Sequence, residues 1–252
     1  PVSLLVQRSE GILRITLDRP EKRNAITISM WNELERTLTG LDPDDSVLVL
    51  SGAGGTFSAG SDVTEFLDPS YDIAAGIEST HVAVAAVAAL GIPSIAVVDG
   101  VAAGSALNLA LSCDFVLASD RATFSEIFAR RGLSVDTGAS WILPRLIGQR
   151  RANEMLLLGD AIDAKTALEW GLITSVVASE NLETGAEQLA ERLRAVPRRA
   201  TSGTLGLLAE TWNRNLPGAL SAEAENQLFV LGSPETQELV NAFTAKREEG
   251  TQ

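Results

Sequence analysis

A single cysteine and a single histidine stand in this chain of 252 residues, and each scarcity removes a class of chemistry. Cys113 alone permits no intramolecular disulfide, and with His81 the only imidazole there is no Cys/His cluster to ligate a transition metal, so no metal site is expected. Preceded by Leu109, Ala110 and Leu111, Cys113 reads as a small core residue. Basic residues are also few: 20 Lys and Arg against 33 Asp and Glu leave a net charge of −13, which opposes a nucleic-acid partner. It does not oppose an anionic small ligand, for which a few local cations or a helix N-terminus suffice. No uninterrupted apolar run reaches about eighteen residues. The nearest approach, from Ile73 to Leu90, is broken by Glu78, Ser79, Thr80 and His81, so a packed helix is expected there and no membrane insertion. The first residues lack a basic stretch followed by an apolar core, and a cytoplasmic location is the expectation.

What is present alternates between strand and helix patterns. Gly11 to Asp18 places Leu13, Ile15 and Leu17 opposite Arg14, Thr16 and Asp18, the period of a half-buried strand. Met30, Trp31, Leu34 and Leu38 recur at helical spacing. Val47 to Leu50 reads as a buried strand running into Ser51-Gly52-Ala53-Gly54-Gly55, and a helix is predicted from Ile73 to Leu90. Ser94 to Val98 and Phe115 to Ala118 are further strands, with a buried helix from Ala103 to Ser112 between them. Strand–turn–helix units at intervals of about forty residues predict a stacked α/β architecture. After Glu180 strand signals disappear, and helices are predicted over Asn181–Arg194, Ala200–Asn215, Ser221–Leu231 and Pro234–Glu248, divided by Pro197, Pro217-Gly218 and Ser233-Pro234. Residues 1–195 are therefore read as the α/β core and 196–252 as a helical C-terminal region whose apolar positions, Leu205, Leu208, Trp212, Leu228, Phe229 and Phe243, need a covering surface.

Two small-residue segments each follow a predicted strand and precede a helix: Gly55-Thr56-Phe57-Ser58-Ala59-Gly60-Ser61-Asp62 and Asp99-Gly100-Val101-Ala102-Ala103-Gly104-Ser105-Ala106-Leu107-Asn108. Either alone is an ordinary tight turn. Together they suggest two places where a ligand approaches backbone closely.

This pair resembles the two signature loops of the crotonase (enoyl-CoA hydratase/isomerase) superfamily. Asp18-Arg19-Pro20-Glu21-Lys22-Arg23-Asn24-Ala25 is similar to that family's opening Arg-Pro…Asn-Ala segment, and Leu143-Pro144-Arg145-Leu146-Ile147-Gly148 and Ala167-Leu168-Glu169-Trp170-Gly171-Leu172-Ile173 fall where it has similar stretches. The resemblance implies a ClpP/crotonase-like α/β spiral of ββα units with a C-terminal helical region. It implies an acyl-CoA thioester as ligand, with coenzyme A as the substrate's carrier and no permanently bound cofactor, and a homotrimer or dimer of trimers. The thioester oxygen would lie on the backbone N–H groups of Ser61 and Ser105, the second of these near a helix N-terminus. The coenzyme would lie along Arg23, Ala25, Ala59, Ser61, Asp62 and Val63, with Phe243 and Lys246 reaching the ligand of a neighbouring subunit.

Hydratases of this superfamily place glutamates at two positions, and by the motif register these are Asn108 and Phe128 here. Glu126 is displaced from the second by two residues. The segment Gly132-Leu133-Ser134-Val135-Asp136-Thr137-Gly138-Ala139-Ser140-Trp141 instead resembles members with a functional aspartate in this loop, double-bond isomerases and a dehalogenase among them, and Asp136 matches that aspartate. The resemblance therefore implies an isomerase or lyase in which Asp136 moves a proton, with Asn108, Glu126, Phe128 and Trp141 about the substrate. Alternatives remain open at the level of sequence. Asp136 can instead cap the helix opening near Gly138. Glu126 or Asp136 can activate water in a hydratase. A catalytically silent binding subunit fits the missing glutamates, and a hydrolase would have to pair Ser61 with His81, although no Gly-x-Ser-x-Gly elbow surrounds Ser61.

Overall fold

The computed structural model describes residues 3–249, with side chains as far as Thr244. The chain opens with a hairpin, β1 (Leu4–Ser9) paired antiparallel with β2 (Ile12–Leu17), turned by Glu10 and Gly11 at φ 53° and 78°. Two successive left-handed residues give a turn whose twist suits a two-residue hairpin. Helix α1 (Ile28–Thr39) is capped by the Thr27 hydroxyl, which accepts from Met30 N at 3.3 Å, and its Met30, Trp31, Leu34 and Leu38 face is buried. Then follow β3 (Val47–Gly52), α2 (Ile73–Ala88), β4 (Ser94–Val98), β5 (Val101–Ala103), α3 (Ser105–Leu111), β6 (Phe115–Ser119), β7 (Thr123–Ser125) and α4 (Ala139–Leu158). After β8 (Ile162–Asp163), α5 (Ala164–Trp170) and β9 (Ser175–Val177), the chain is helical: α6 (Leu182–Arg194), α7 (Arg198–Ala209), α8 (Leu216–Leu231) and α9 (Pro234–Glu249).

Six strands form one sheet in the order β1-β2-β3-β4-β6-β9, parallel from β2 onward, and β5, β7 and β8 form a second. The logic is a repeated unit: β4, β5 and α3, then β6, β7 and α4, in which the first strand joins the large sheet and the second the small one. This is an α/β spiral of ββα units. Strands buried on both faces read as continuous apolar runs, as Val47–Leu50 and Ile95–Val98 do.

One core lies between the two sheets and α1 to α5, with Trp31, Phe57 and Phe124 fully enclosed. A second lies under α6, whose Leu182, Ala186 and Ala190 pack on Ile12, Val47, Ile95 and Leu117 of the large sheet. The turn at 195–197 separates α6, which belongs to this packing, from α7 to α9, where Val230 and Ser233 are the buried residues among those described. Pro217-Gly218, expected to separate helices, instead lies in the first turn of α8, where Asn215 caps by accepting from Gly218 N at 3.0 Å. Proline is tolerated there because first-turn N–H groups have no partner within the helix. Among the described residues no helix is long and apolar enough to cross a membrane.

Candidate active site

The two small-residue loops meet over the ends of β3 and β4, held by main-chain bonds on both sides. Ser58 N donates to Val101 O at 2.9 Å and Ala103 N to Ser58 O at 3.1 Å, while Ile26 N donates to Gly60 O and Asp62 N to Ile26 O, both at 2.9 Å. The Arg-Pro…Asn-Ala segment supplies the staple. Asn24, fully buried at φ 53°, donates through Nδ2 to Ala53 O at 2.8 Å and Thr56 O at 2.6 Å, and its Oδ1 accepts from Arg19 N at 2.8 Å. Asparagine tolerates the left-handed conformation that this geometry demands. Arg19 then pairs with Asp62 at 2.9 Å. Burial would raise the Asp62 carboxyl, but bonds from Thr64 and Arg19 outweigh it and hold the group below the usual carboxylate range.

Gly60, at φ 100°, brings the first loop so near the second that a Cβ there would meet Ala103 O at 2.9 Å. Ser61 and Ser105 consequently face one another. Ser61 N donates to Ser105 Oγ at 2.9 Å, the two hydroxyl oxygens lie 2.8 Å apart, and Trp31 Nε1 donates to Ser61 Oγ at 3.3 Å. Ser105 is the first residue of α3, so its own N–H precedes that helix's ladder.

These residues line a cleft of about 400 Å³ together with Arg23, Ala25, Ala59, Asp62, Val63, Phe128 and Asp136, a volume within the range of small-molecule sites. Lys22, Arg23 and Arg131 supply positive charge to it, and Phe66, Tyr71 and Ile77 form an apolar wall. The Phe66 and Tyr71 rings pack with centroids 5.3 Å apart. Among the described residues three carboxylates also line the cleft: Asp62, Glu65 and Asp136. Asp62 is taken by Arg19, and Glu65 Oε2 accepts from Ile28 N at 2.9 Å, at the start of α1. Asp136, half-buried, accepts at Oδ1 from Thr137 Oγ1 at 2.8 Å, its one side-chain bond among the described residues. Its side chain caps no helix: Gly138 is the N-cap of α4, with no side-chain cap bond. Thr137 is a β-branched residue at φ 49°, a strained conformation.

Other expected site residues lie elsewhere. Asn108 and Glu126 are fully buried behind the cleft wall and do not line it. Asn108 donates to Thr137 Oγ1 at 3.2 Å and to Asp136 O at 3.4 Å. Trp141 lines a separate cavity of about 630 Å³ between α2, α4 and α7, because Thr137 and Gly138 turn the chain away, and the Arg145 guanidinium lies 4.1 Å over its ring. His81 is exposed and lines that same cavity, so the structure does not join it to Ser61. Phe243, in α9, is mostly exposed and does not line this chain's cleft. The side chain of Lys246 lies outside the described residues. Sequence reasoning passes over Trp31 and Thr137; helical spacing marks Trp31 as core and carries no sign that its indole N–H meets Ser61.

The family model described as enoyl-CoA hydratase/isomerase matches residues 7–250. The 1,2-epoxyphenylacetyl-CoA isomerase of Escherichia coli (strain K12) is 36% identical over 255 residues, covering 97% of this chain and 96% of the relative. The 4-chlorobenzoyl coenzyme A dehalogenase-2 of Arthrobacter sp is 30% identical, covering 96% and 90%. A Thermobifida fusca YX protein, provisionally named an enoyl-CoA hydratase and crystallised in complex with CoA, has a TM-score of 0.87 at 32% identity over 95% of each chain.

Proposed function

The chain belongs to the enoyl-CoA hydratase/isomerase family, and from that premise we propose that it shifts a carbon–carbon double bond in an acyl-CoA thioester through an enolate. It is an acyl-CoA-processing enzyme of the isomerase/hydratase type. The observation that carries the finer reading is that Asp136 alone among the three cleft carboxylates is engaged by neither an ion pair nor a helix start.

The thioester oxygen takes the position that Ser105 Oγ holds in front of Ser61 N, once that hydroxyl turns about its Cα–Cβ bond, and also accepts from Ser105 N. Asp136 removes the proton next to the thioester carbonyl, and the electron pair moves onto the oxygen. The same carboxyl, half-buried on the cleft and open to exchange with solvent, delivers a proton two carbons further along, so that the double bond moves with no net gain or loss of atoms. Preorganised donors at the oxygen lower such a barrier by about 3–4 kcal/mol. Lys22, Arg23 and Arg131 suit the phosphates of coenzyme A, along backbone from Ala25 and from Ala59 to Val63. The exposed apolar side chains of α8 and α9, Leu216, Leu228, Phe229 and Phe243 among them, are covered by further copies in a homotrimer or dimer of trimers, which places Phe243 and Lys246 near a neighbour's ligand.

Water addition by paired glutamates is disfavoured: Asn108 is committed to Thr137, Phe128 is apolar, and Glu126 is sealed off. The test is a 3-enoyl-CoA substrate in deuterated water. The proposal expects a 2-enoyl-CoA carrying deuterium, with no mass of water added. A 2-enoyl-CoA is assayed beside it, and water added to the 2-enoyl-CoA with no migration in the 3-enoyl-CoA would instead support the hydratase reading.

A further inference from the structure

Glu126 follows β7 and has no exposed surface. Its two carboxyl oxygens and Asn108 Oδ1 are the buried side-chain N and O atoms, among the described residues, that have no hydrogen-bond partner of good geometry. An ionised carboxylate can only accept, so in that state these oxygens remain unsatisfied, which a buried site tolerates poorly. Burial and then the neighbouring Asp136 charge push the Glu126 carboxyl well above the ordinary carboxylate range, against the opposing influence of the nearby Asn108 amide. One proton would resolve the conflict: a protonated Glu126 can donate to the neighbouring Asn108 Oδ1, and two of the three orphaned acceptors then become a bonded pair.

From Asn108 the remaining links are in place. Nδ2 donates to Thr137 Oγ1 at 3.2 Å, and Thr137 Oγ1 donates to Asp136 Oδ1 at 2.8 Å. Every donor points toward Asp136. The weaker bond from Asn108 Nδ2 to Asp136 O at 3.4 Å fixes the amide's orientation, since the reverse would set Oδ1 against that carbonyl. An ionised Glu126 would draw the Asn108 NH₂ to itself and turn the Thr137 hydroxyl away from Asp136.

We propose that Glu126 is a positioning residue that acts as a neutral hydrogen-bond donor, its carboxyl proton setting the direction of a relay through Asn108 and Thr137 that pins Asp136 Oδ1 and leaves Oδ2 to the cleft. The functional part of this inference rests on Asp136 as the proton-transfer residue; the protonation of Glu126 does not. No proton passes along the relay, and Glu126 touches no substrate.

The experiment compares wild type with Glu126→Gln, Glu126→Leu and Asp136→Asn. Infrared difference spectra between wild type and Glu126→Gln at pH 7 are expected to show the carbonyl stretch of a protonated acid; carboxylate bands would overturn the proposal. Glutamine keeps a neutral donor, so kcat of Glu126→Gln is expected within about 3-fold of wild type. Glu126→Leu is expected to lose about 10- to 100-fold in kcat with KM nearly unchanged, as for a residue that supports an interaction strengthened in the transition state. Equal activity of both Glu126 variants, or loss of activity in Glu126→Gln, would overturn it, and the glutamine variant with the spectrum decides the matter if the leucine variant does not fold. Retained turnover in Asp136→Asn would take the proton-transfer role from Asp136 and overturn the functional part of the inference, while leaving the infrared assignment intact.

Discussion

The main-chain N–H of Ser61 donates to the Ser105 hydroxyl oxygen at 2.9 Å, across 44 residues of sequence. An oxygen thus already sits where the proposed chemistry needs one, but it belongs to the protein. In the proposed reaction this hydroxyl takes part in no chemical step, and a thioester oxygen takes over its place.

Ser105→Ala therefore keeps both N–H donors and removes the competitor. The expected outcome is an unchanged or lower KM for acyl-CoA, with kcat within about 10-fold of wild type. A nucleophilic serine would instead lose on the order of 10⁴-fold or more. Steady-state kinetics on the purified variant separates the two.

Asn24→Ala leaves the carbonyls of Ala53 and Thr56 without their donor and puts alanine at φ 53°. Unsatisfied buried carbonyls and a left-handed alanine together cost about 2–4 kcal/mol, read as a fall in the denaturant midpoint. A loss below about 0.5 kcal/mol, as for an ordinary surface substitution, would show that the segment does not hold the loops.

Gly76 lies beneath the Tyr71 ring: a Cβ there would fall on the hydroxyl oxygen, at 1.9 Å. Gly76→Ala must displace Tyr71 from the apolar wall of the cleft, and the ratio of kcat/KM between long and short acyl chains is expected to change by about 10-fold, the scale of one or two methylenes in an apolar pocket. An unchanged ratio would place the acyl group elsewhere.

Glu126 also makes a prediction for stability against pH. Its folded carboxyl lies well above the ordinary glutamate value of 4.5, through burial and then the charge of Asp136. A raised folded value stabilises fully below the unfolded value, and that contribution is lost as pH climbs from about 4.5 toward the folded value. Glu126→Gln has no such loss, so its Tm relative to wild type should rise as pH climbs above about 4.5. A pH-independent difference would mean that Glu126 is ionised in the fold as it is in the unfolded chain.

The sequence makes the large sheet legible where burial leaves a pattern: β2 alternates, while β3 and β4 are continuous apolar runs. Strands β5, β7, β8 and β9 have two or three residues each and exist through distant pairing, such as Ala102 with Phe124, so local pattern cannot reveal them. The same limit governs the site. The glycine-rich loops and Asp136 are readable as motifs, whereas the enclosure of Glu126 depends on a three-residue strand, and the role of Thr137 depends on a positive φ that a β-branched residue gives no reason to expect.

The most direct test of the central claim is the Asp136→Asn variant, assayed with 3-enoyl-CoA in deuterated water beside a binding measurement for the same thioester. Binding is expected to persist within a few-fold while double-bond migration and deuterium incorporation fall by about 10²-fold or more, the scale of a lost general base. Migration at the wild-type rate in a variant that binds normally would contradict it, and would move the proton-transfer role away from Asp136.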